Sequence, residues 1–486
     1  MTLPDVALPG GGLPGGGLPG GGAESDAATA VAADLASRLA RLVGDGATPP
    51  PPPDGPAGRA GGRAGDWSGD WWARGWARSG AMALTGDTAG PPLAPAAPIA
   101  DVMAGAALAL TAQGGPRVAD APALLGERGQ LLGLRRGGRL SCGGATRLLP
   151  AADGWVAVAL ARAEDWSGLP AWLGAPATTW DDVARGVAAL RAFEAAAGAA
   201  DLEIPVSVVA GPSGTAPPAD PWDIRAVATA AGGHGPGGTS LVVDLSALWA
   251  GPLCADLLRH AGARVVKVED PRRPDGARGG PAAFFDLLNA GKRSVAVDLA
   301  SSAGRDQLRS LLATADVVVT SCRPRAMEQL GIDVEEVLAA SPTVWVAITA
   351  YGWATPLANR VGFGDDVAAG AGLVAWHPID AEPRFAGDAV ADPLCGLLAT
   401  IAATQAMRAG GSWFIDAPLV GAASYAAALA PAGPARAATP CGGAAGDGWV
   451  IDGEPVADPR SRPARGRAQT LGLSHSRATR PSCAGT

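Results

Sequence analysis

The stretch Leu241–Asp270 reads LVVDLSALWAGPLCADLLRHAGARVVKVED. The chain continues through NAGKRSVAVDLA (289–300), DVVVTSCRP (316–324) and VWVAITAYG (344–352) to AVADPLCG (389–396). Short, β-branched, almost unbroken apolar runs alternate here with segments of helical spacing. The spacing predicts strands at Leu241–Leu245, Arg264–Val268, Ser294–Leu299, Asp316–Thr320 and Val344–Thr349, and helices at Pro252–Ala261, Ser302–Thr314, Asp333–Ala340 and Asp366–Ala375. Strands that lack a polar face are those covered by helices on both sides. The expected fold class is therefore α/β, an open doubly wound parallel sheet of Rossmann-like layout, with ligands at the carboxyl ends of its strands.

Outward from this core the chain changes character. Residues 1–22 hold a threefold LPGGG repeat that cannot bury enough apolar surface to offset its ordering entropy, so this start is expected to be disordered. Ala23–Leu42 has helical spacing, and Gly44–Gly65, with PPPPP and GRAGGRAG, reads as a linker. Trp67, Trp71, Trp72 and Trp76 recur at helical intervals and are expected in a core. RLLPAADGWVAVAL (147–160) predicts a hairpin turning at Asp153-Gly154, followed by helices at Ala161–Leu173 and Trp180–Ala197, which makes residues 66–225 a module with a smaller α+β domain. A Gly/Pro-rich linker over 211–240 leads into the 241–430 domain. Residues 431–486 are expected to form an extended tail, solvated where it is basic (458–467) and unstructured from Pro481 to Thr486.

Residues 79–112 and 371–403 resemble each other. Both have a small-residue start, then Pro92 or Pro383, then Asp101 or Asp392 nine residues later, and Gly105 or Gly396 four residues beyond, opening an alanine/leucine helix. The kept spacing predicts an internal duplication.

Composition narrows the function. The net charge is −8 and no Lys/Arg-rich face is evident, so no nucleic acid is expected as a partner. Six scattered cysteines without a C-x-x-C pair predict neither a disulfide framework nor a zinc site and fit a reducing, cytoplasmic setting. No run of about 18 apolar residues is present, so no membrane span is expected. The first β-turn-α, Ser246 to Pro252, has a single glycine, which argues against a dinucleotide fingerprint despite Glu269 at the end of the second strand. On the residues alone, Asp101 and Asp392 read first as helix N-caps, with a reactive carboxylate as the alternative.

A family resemblance then emerges. Asp244-Leu245-Ser246, Ala250-Gly251-Pro252, Gly262-Ala263, Lys267-Val268-Glu269, Asn289, Lys292-Arg293-Ser294-Val295, Asp298-Leu299, Gly304, Ala315-Asp316-Val317, Arg323-Pro324 and Leu330-Gly331 follow the order found in family III CoA-transferases. That group includes formyl-CoA and carnitine CoA-transferases and α-methylacyl-CoA racemase. The 70–225 module also resembles family material, as if the halves were rearranged and partly duplicated.

The resemblance implies an acyl-CoA:carboxylate CoA-transferase that works through an aspartyl anhydride and an aspartyl-CoA thioester. Coenzyme A thioester is then a substrate, with no further cofactor and no metal. The partners are an acyl-CoA and a carboxylic acid, and the family's habit is an interlocked homodimer. The family motif, Asp with Gly four residues later ahead of a helix, falls on Asp392 as nucleophile, with Asp101 as the copy whose own sheet is missing. The racemase branch would place an acid/base aspartate at Asp365 with an upstream histidine, but no histidine lies between 261 and 364. Trp249, Ala250, Arg272, Lys292, Arg293 and Arg323 are the residues expected along CoA. Ala300 and Gln329 stand where the family often has Lys and Arg, which keeps open a degenerate, non-catalytic paralogue that binds acyl-CoA or an active subunit.

Overall fold

The computed structural model describes residues 22–43, 71–211, 220–228, 239–430, 433–441 and 448–471. The LPGGG repeat, the 44–65 linker, Trp67, most of the 211–240 linker and the Pro481–Thr486 end fall outside the described residues.

The N-terminal module begins with α1 (Gly22–Val43), where the spacing predicts it, followed by α2 (Trp71–Ser79), the short strand β1 (Leu93–Ala94), α3 (Ile99–Ala112) and α4 (Glu127–Leu132). Trp72 and Trp76 are core residues, as their interval requires. A hairpin of β2 (Thr146–Ala151) and β3 (Gly154–Ala159) is extended by β4 (Val206–Val208) into a three-stranded antiparallel sheet. Over it pack α5 (Ala163–Leu173), α6 (Trp180–Ala188) and α7 (Ala192–Asp201), with Val156, Val158, Leu169, Trp172, Val183 and Val187 in a core of their own. The single helix expected over Trp180–Ala197 is two helices. Asp153, from the hairpin turn, accepts the Ala192 N–H at 2.8 Å and pairs with Arg191, so the hairpin caps α7 and breaks the run.

The large sheet has seven strands: β5 (Asp223–Ala228), β6 (Leu241–Leu245), β7 (Arg264–Glu269), β8 (Arg293–Ala296), β9 (Val317–Thr320), β10 (Val344–Ala347) and, after the small antiparallel pair β11 (Val374–Trp376) and β12 (Pro383–Phe385), β13 (Ser412–Asp416). Their spatial order is β5-β13-β10-β9-β6-β7-β8, all parallel except the edge strand β5, which runs antiparallel to β13. Five strands lie where the sequence pattern puts them, and β5 and β13 are additions to it. The chain runs outward from β6 in one direction and from β9 in the other, so the topological switch point lies between β6 and β9.

Helices clothe both faces. Those after β6 are α8 (Ala250–His260), α9 (Ala282–Asn289), α10 (Ser302–Leu312), α11 (Pro324–Gln329), α12 (Val334–Ala340), α13 (Gly364–Gly370), α14 (Ala391–Ala409) and α15 (Leu419–Ala428). One face shares a core with α8 and α14, through Leu253, Leu257, Leu394 and Leu398 among others. The opposite face packs Val243, Val318 and Trp345 on Leu308, Leu312 and Leu338 of α10 and α12. The helix expected over Asp366–Ala375 is cut short at Gly370, because Gly372 turns the chain at φ 96° into β11.

The basic segment 458–467 is solvated over 463–467, as its composition suggests, but its first half is docked on the N-terminal module. Pro459 lies over Gly80 and Gly126, and Arg460 pairs with Asp120. Arg462 donates to Glu127 at 2.6 Å. Glu127 is fully buried, and burial raises its pKa against the pull of Arg462, so a cation brought from the tail offsets the desolvation of that carboxylate. Among the described residues no helix is long and apolar enough to cross a membrane.

Candidate active site

The loop after β6 is built on a buried polar lattice. Asp244 is fully buried at the strand end and accepts from the Ser246 N–H at 3.0 Å and from Lys292 Nζ at 2.9 Å. Lys292 also donates to Pro252 O and Asn289 Oδ1, both at 2.9 Å. Lys267 Nζ donates to Ser246 O at 2.8 Å and pairs with Asp275 at 2.9 Å. Burial alone would raise Asp244, but Lys292 and Lys267 pull its pKa down to about 2. Burial lowers Lys292, whereas for Lys267 the attraction of Asp244 and Asp275 outweighs burial and raises it. Paired this way, the charges hold Ser246 and the loop above it in one conformation. Leu248 takes a left-handed φ of 69° there and donates its N–H to Asp275 at 2.9 Å. Gly251 must be glycine, because a Cβ would sit 2.2 Å from that of Ser246. The result is a fixed start for α8 at Ala250.

Asp392 meets that start. It lies in the first turn of α14, partly exposed, and the Ala250 N–H donates to its carboxylate. Two glycines make the approach possible. At Gly396, one turn along α14, a Cβ would stand 2.6 Å from Ala250 O, so α8 and α14 cross there at backbone distance. At Gly364, the first residue of α13, a Cβ would stand 2.0 Å from Asp392 Oδ2 and 2.8 Å from the Cβ and O of Ala389.

Asp392 opens onto a cleft of about 240 Å³ at the carboxyl ends of β6, β9 and β10, beside the switch point. The walls are Ala247 to Gly251, Ser321 and Arg323 after β9, Ile348 to Ala350 after β10, and the segment Arg360–Phe363. Arg162, at the entry to α5, closes it from the small domain. Burial raises the pKa of Asp392 to about 7, against the lowering effect of Arg128 and with a further rise from Asp365.

Arg128, on α4, is a member of the site that the sequence does not announce. Its guanidinium clasps the fully buried Asp388 with Nε–Oδ2 at 2.8 Å and Nη2–Oδ1 at 2.5 Å, and it lies 5.5 Å from the Trp249 ring centroid. Asp365 does not line the cleft. Its Oδ1 accepts the Ala389 N–H at 2.9 Å, and burial with the neighbouring Asp388 raises its pKa to about 6. It holds the turn that leads into α14, where Ala389 has φ 46°. Among the described residues no histidine lines the cleft, and His260 sits at the far end of α8.

The residues expected along CoA are thus divided. Ala250 and Arg323 line the cleft. Trp249 is buried behind it, edge-on to Phe284 at 5.2 Å. Lys292 is buried too, with its donors spent on the lattice under the loop. Arg272 pairs with Asp270 and Asp298 on the surface, and Arg293 is an exposed residue of β8; neither lines the cleft. Asp101 is 4% exposed, with no hydrogen-bond partner for Oδ2, and burial raises its pKa to about 8.

Residues 240–437, which carry the sheet from β6 onward and Asp392, match the profile of CoA-transferase family III. Through this region the chain is similar to members of CoA-transferase family III. A succinate–glutarate CoA-transferase of Agrobacterium fabrum is 32% identical over 199 residues, which are 37% of this chain and 50% of that protein. An acetyl-CoA:oxalate CoA-transferase of Acetobacter aceti is 29% identical over 171 residues, 33% of this chain and 44% of that protein. The crystal structure of a CAIB/BAIF family protein from Brucella suis shares 33% identity over 38% of this chain and 53% of that one, with a TM-score of 0.36. The chain spans half or less of the length of these curated relatives.

Proposed function

We propose that this protein is an acyl-CoA:carboxylate CoA-transferase whose nucleophile is Asp392. The observation that carries the reading is the Asp392 carboxylate on the wall of a cleft, beside the first N–H of α8, in the region that matches the family. An Asp392 oxygen attacks the thioester carbonyl, the C–S bond breaks, and CoA thiolate leaves behind a mixed anhydride. The thiolate then attacks the aspartyl carbonyl of that anhydride and releases the acyl group as a carboxylate, leaving an aspartyl-CoA thioester. The incoming carboxylate attacks this thioester, CoA thiolate leaves again, and its attack on the new acyl carbon yields the product thioester and free Asp392. Each step is an acyl transfer between activated species, which is what covalent catalysis achieves. The Ala250 N–H is suited to holding oxyanion charge as it develops.

Arg323 and Arg162, at the cleft mouth, suit the phosphates of CoA. The racemase reading lacks a second poised group among the described residues, because none of their histidines lines the cleft with Asp392 and Asp365 is spent on Ala389. A cytoplasmic homodimer is part of the proposal, and analytical ultracentrifugation tests the pairing. For the chemistry, acyl-CoA plus hydroxylamine should leave a hydroxamate on Asp392 that is absent from Asp392→Asn. A wild-type protein that binds acyl-CoA yet never yields the hydroxamate would be the non-catalytic paralogue.

A further inference from the structure

A second cavity, of about 370 Å³, lies at the far end of α8 and shares no lining residue with the cleft beside Asp392. His260 lines it, ten residues along the helix from Ala250, so about 15 Å of helix separates the two. Five arginines line this cavity against two carboxylates, Asp120 and Asp256, in a chain whose net charge is −8. Three of the five are already spent. Arg259 donates to Asp256 at 2.8 Å, Arg460 to Asp120 at 2.9 Å and Arg462 to Glu127 at 2.6 Å. Arg117 and Arg465 have no carboxylate partner among the described residues, and both are exposed.

The position of Arg465 is set from both sides. The tail is tied down before it by Arg462 on Glu127. After it, the Ala468 N–H donates to Asp286 at 2.8 Å, and Gln469 Oε1 accepts the Ser294 N–H at 2.9 Å. The strap therefore holds a guanidinium at the cavity without consuming its donors. The carboxyl end of α8 by itself disfavours an anion. Cations from elsewhere reverse that sign: Arg117 from the loop after α3 and Arg465 from the tail. Leu257, Leu287 and Ala290 give the cavity an apolar side, and its volume falls within the roughly 300–1,000 Å³ of small-molecule sites. Two uncommitted guanidiniums match the double charge and several oxygens of a phosphate better than the single charge of a carboxylate.

We propose that this cavity binds a phosphorylated small molecule of nucleotide size, its phosphate held by Arg117 and Arg465 and its organic body against Leu257, Leu287 and Ala290. The site stands whether or not Asp392 is a nucleophile. ADP and inorganic phosphate are the probes, read by isothermal titration calorimetry on the full chain. ADP should bind saturably, one per chain, and less tightly as salt rises. Phosphate alone should bind at least about 10-fold more weakly, because it leaves the apolar side bare. The double variant R117M/R465M should weaken ADP by at least about 10-fold, the range of a charge-assisted hydrogen bond. Ala119→Glu, which sets a negative charge on the exposed wall without removing a guanidinium, should do the same. Because ADP is also a part of CoA, Arg323→Met is the control for the cleft beside Asp392 and should leave ADP binding unchanged. No saturable ADP binding overturns the proposal. So does binding that R323M weakens and R117M/R465M does not, since the nucleotide then sits in that cleft. Equal affinities for ADP and phosphate overturn the assignment of an organic body. Thermal melts without ligand confirm that the variants are folded.

Discussion

Asp101 and Asp392 occupy matching places on α3 and α14, and they have met opposite ends. Each lies in the first turn of its helix with a glycine four residues on. In each case another helix crosses at that glycine: a Cβ at Gly105 would stand 2.6 Å from Ala28 O of α1, and one at Gly396 stands 2.6 Å from Ala250 O of α8. The motif Asp-x-x-x-Gly therefore encodes a close helix crossing with a carboxylate at its mouth, whether or not that mouth is open. What separates the two is the surroundings. Asp392 faces loops delivered by β6, β9 and β10, which leave a cleft. Asp101 faces α2, where a Cβ at Gly75 would lie 3.2 Å from its Oδ2, and it is sealed. The opening beside Asp392 comes from the sheet ends and not from the helix motif.

The largest test of that contrast is catalytic. Asp392→Asn should lower transfer by at least about 10³-fold, the scale of losing a covalent nucleophile, while Asp101→Asn keeps near wild-type kcat. If D101N also abolished hydroxamate formation with folding intact, the sealed carboxylate would be the working one and the comparison would reverse. Next in size is the seat of each carboxylate. Gly364→Ala puts a methyl where Asp392 Oδ2 and Ala389 already stand, so kcat should fall by about 10²-fold, the penalty expected for a misplacement near 1 Å. Gly75→Ala meets Asp101 only at 3.2 Å and should leave kcat unchanged. Steady-state kinetics on the two alanine variants settles the pair.

Much of this was legible in advance. Five sheet strands follow from apolar runs, and the place of Asp392 in the first turn of a helix follows from one spacing. β13 was harder to see, since SWFID is short and follows two glycines, and β5 sits on the edge beside a linker with an alternating pattern. Three of the four cations expected along CoA, Arg272, Lys292 and Arg293, lie away from the cleft for a different reason. Lys292 looks like a ligand-binding lysine until the fold brings it to Asp244, 48 residues away in sequence. Arg128 comes to Asp388 from 260 residues away. Charge pairing is a long-range outcome, whereas periodicity is a local one.

Stability offers a smaller effect with a definite sign. Burial lifts Asp101 from its ordinary value to about 8, so between about pH 4 and pH 8 the folded state holds a proton that the unfolded chain has lost. Stability attributable to this group is full below the unfolded pKa and declines as pH rises toward the folded one. Asp101→Asn does not titrate. The gap in Tm between D101N and the wild type should therefore widen in favour of D101N from pH 5 to pH 8. The shift should be several degrees, since each pKa unit is worth about 1.4 kcal/mol at most and relaxation of the site reduces it. Thermal melts at the two pH values read it directly, and a gap that narrows over this range contradicts a sealed, neutral Asp101.

The smallest effect concerns the open carboxylate. With Asp392 at about 7, the nucleophilic form accumulates as pH rises, so kcat should climb through neutrality and level off above it. Arg128 lowers that pKa and Asp388 raises it, and Arg128 is the stronger of the two influences. Removing Arg128 alone would strand Asp388 as a buried charge and destabilise the fold by about 3–5 kcal/mol. The double variant Arg128→Met with Asp388→Asn removes both charges together and avoids that penalty. Its rising limb should move to higher pH while the plateau above it is preserved. A limb that stays in place would mean that Arg128 serves only to neutralise Asp388, leaving the pKa of Asp392 to desolvation and to Asp365.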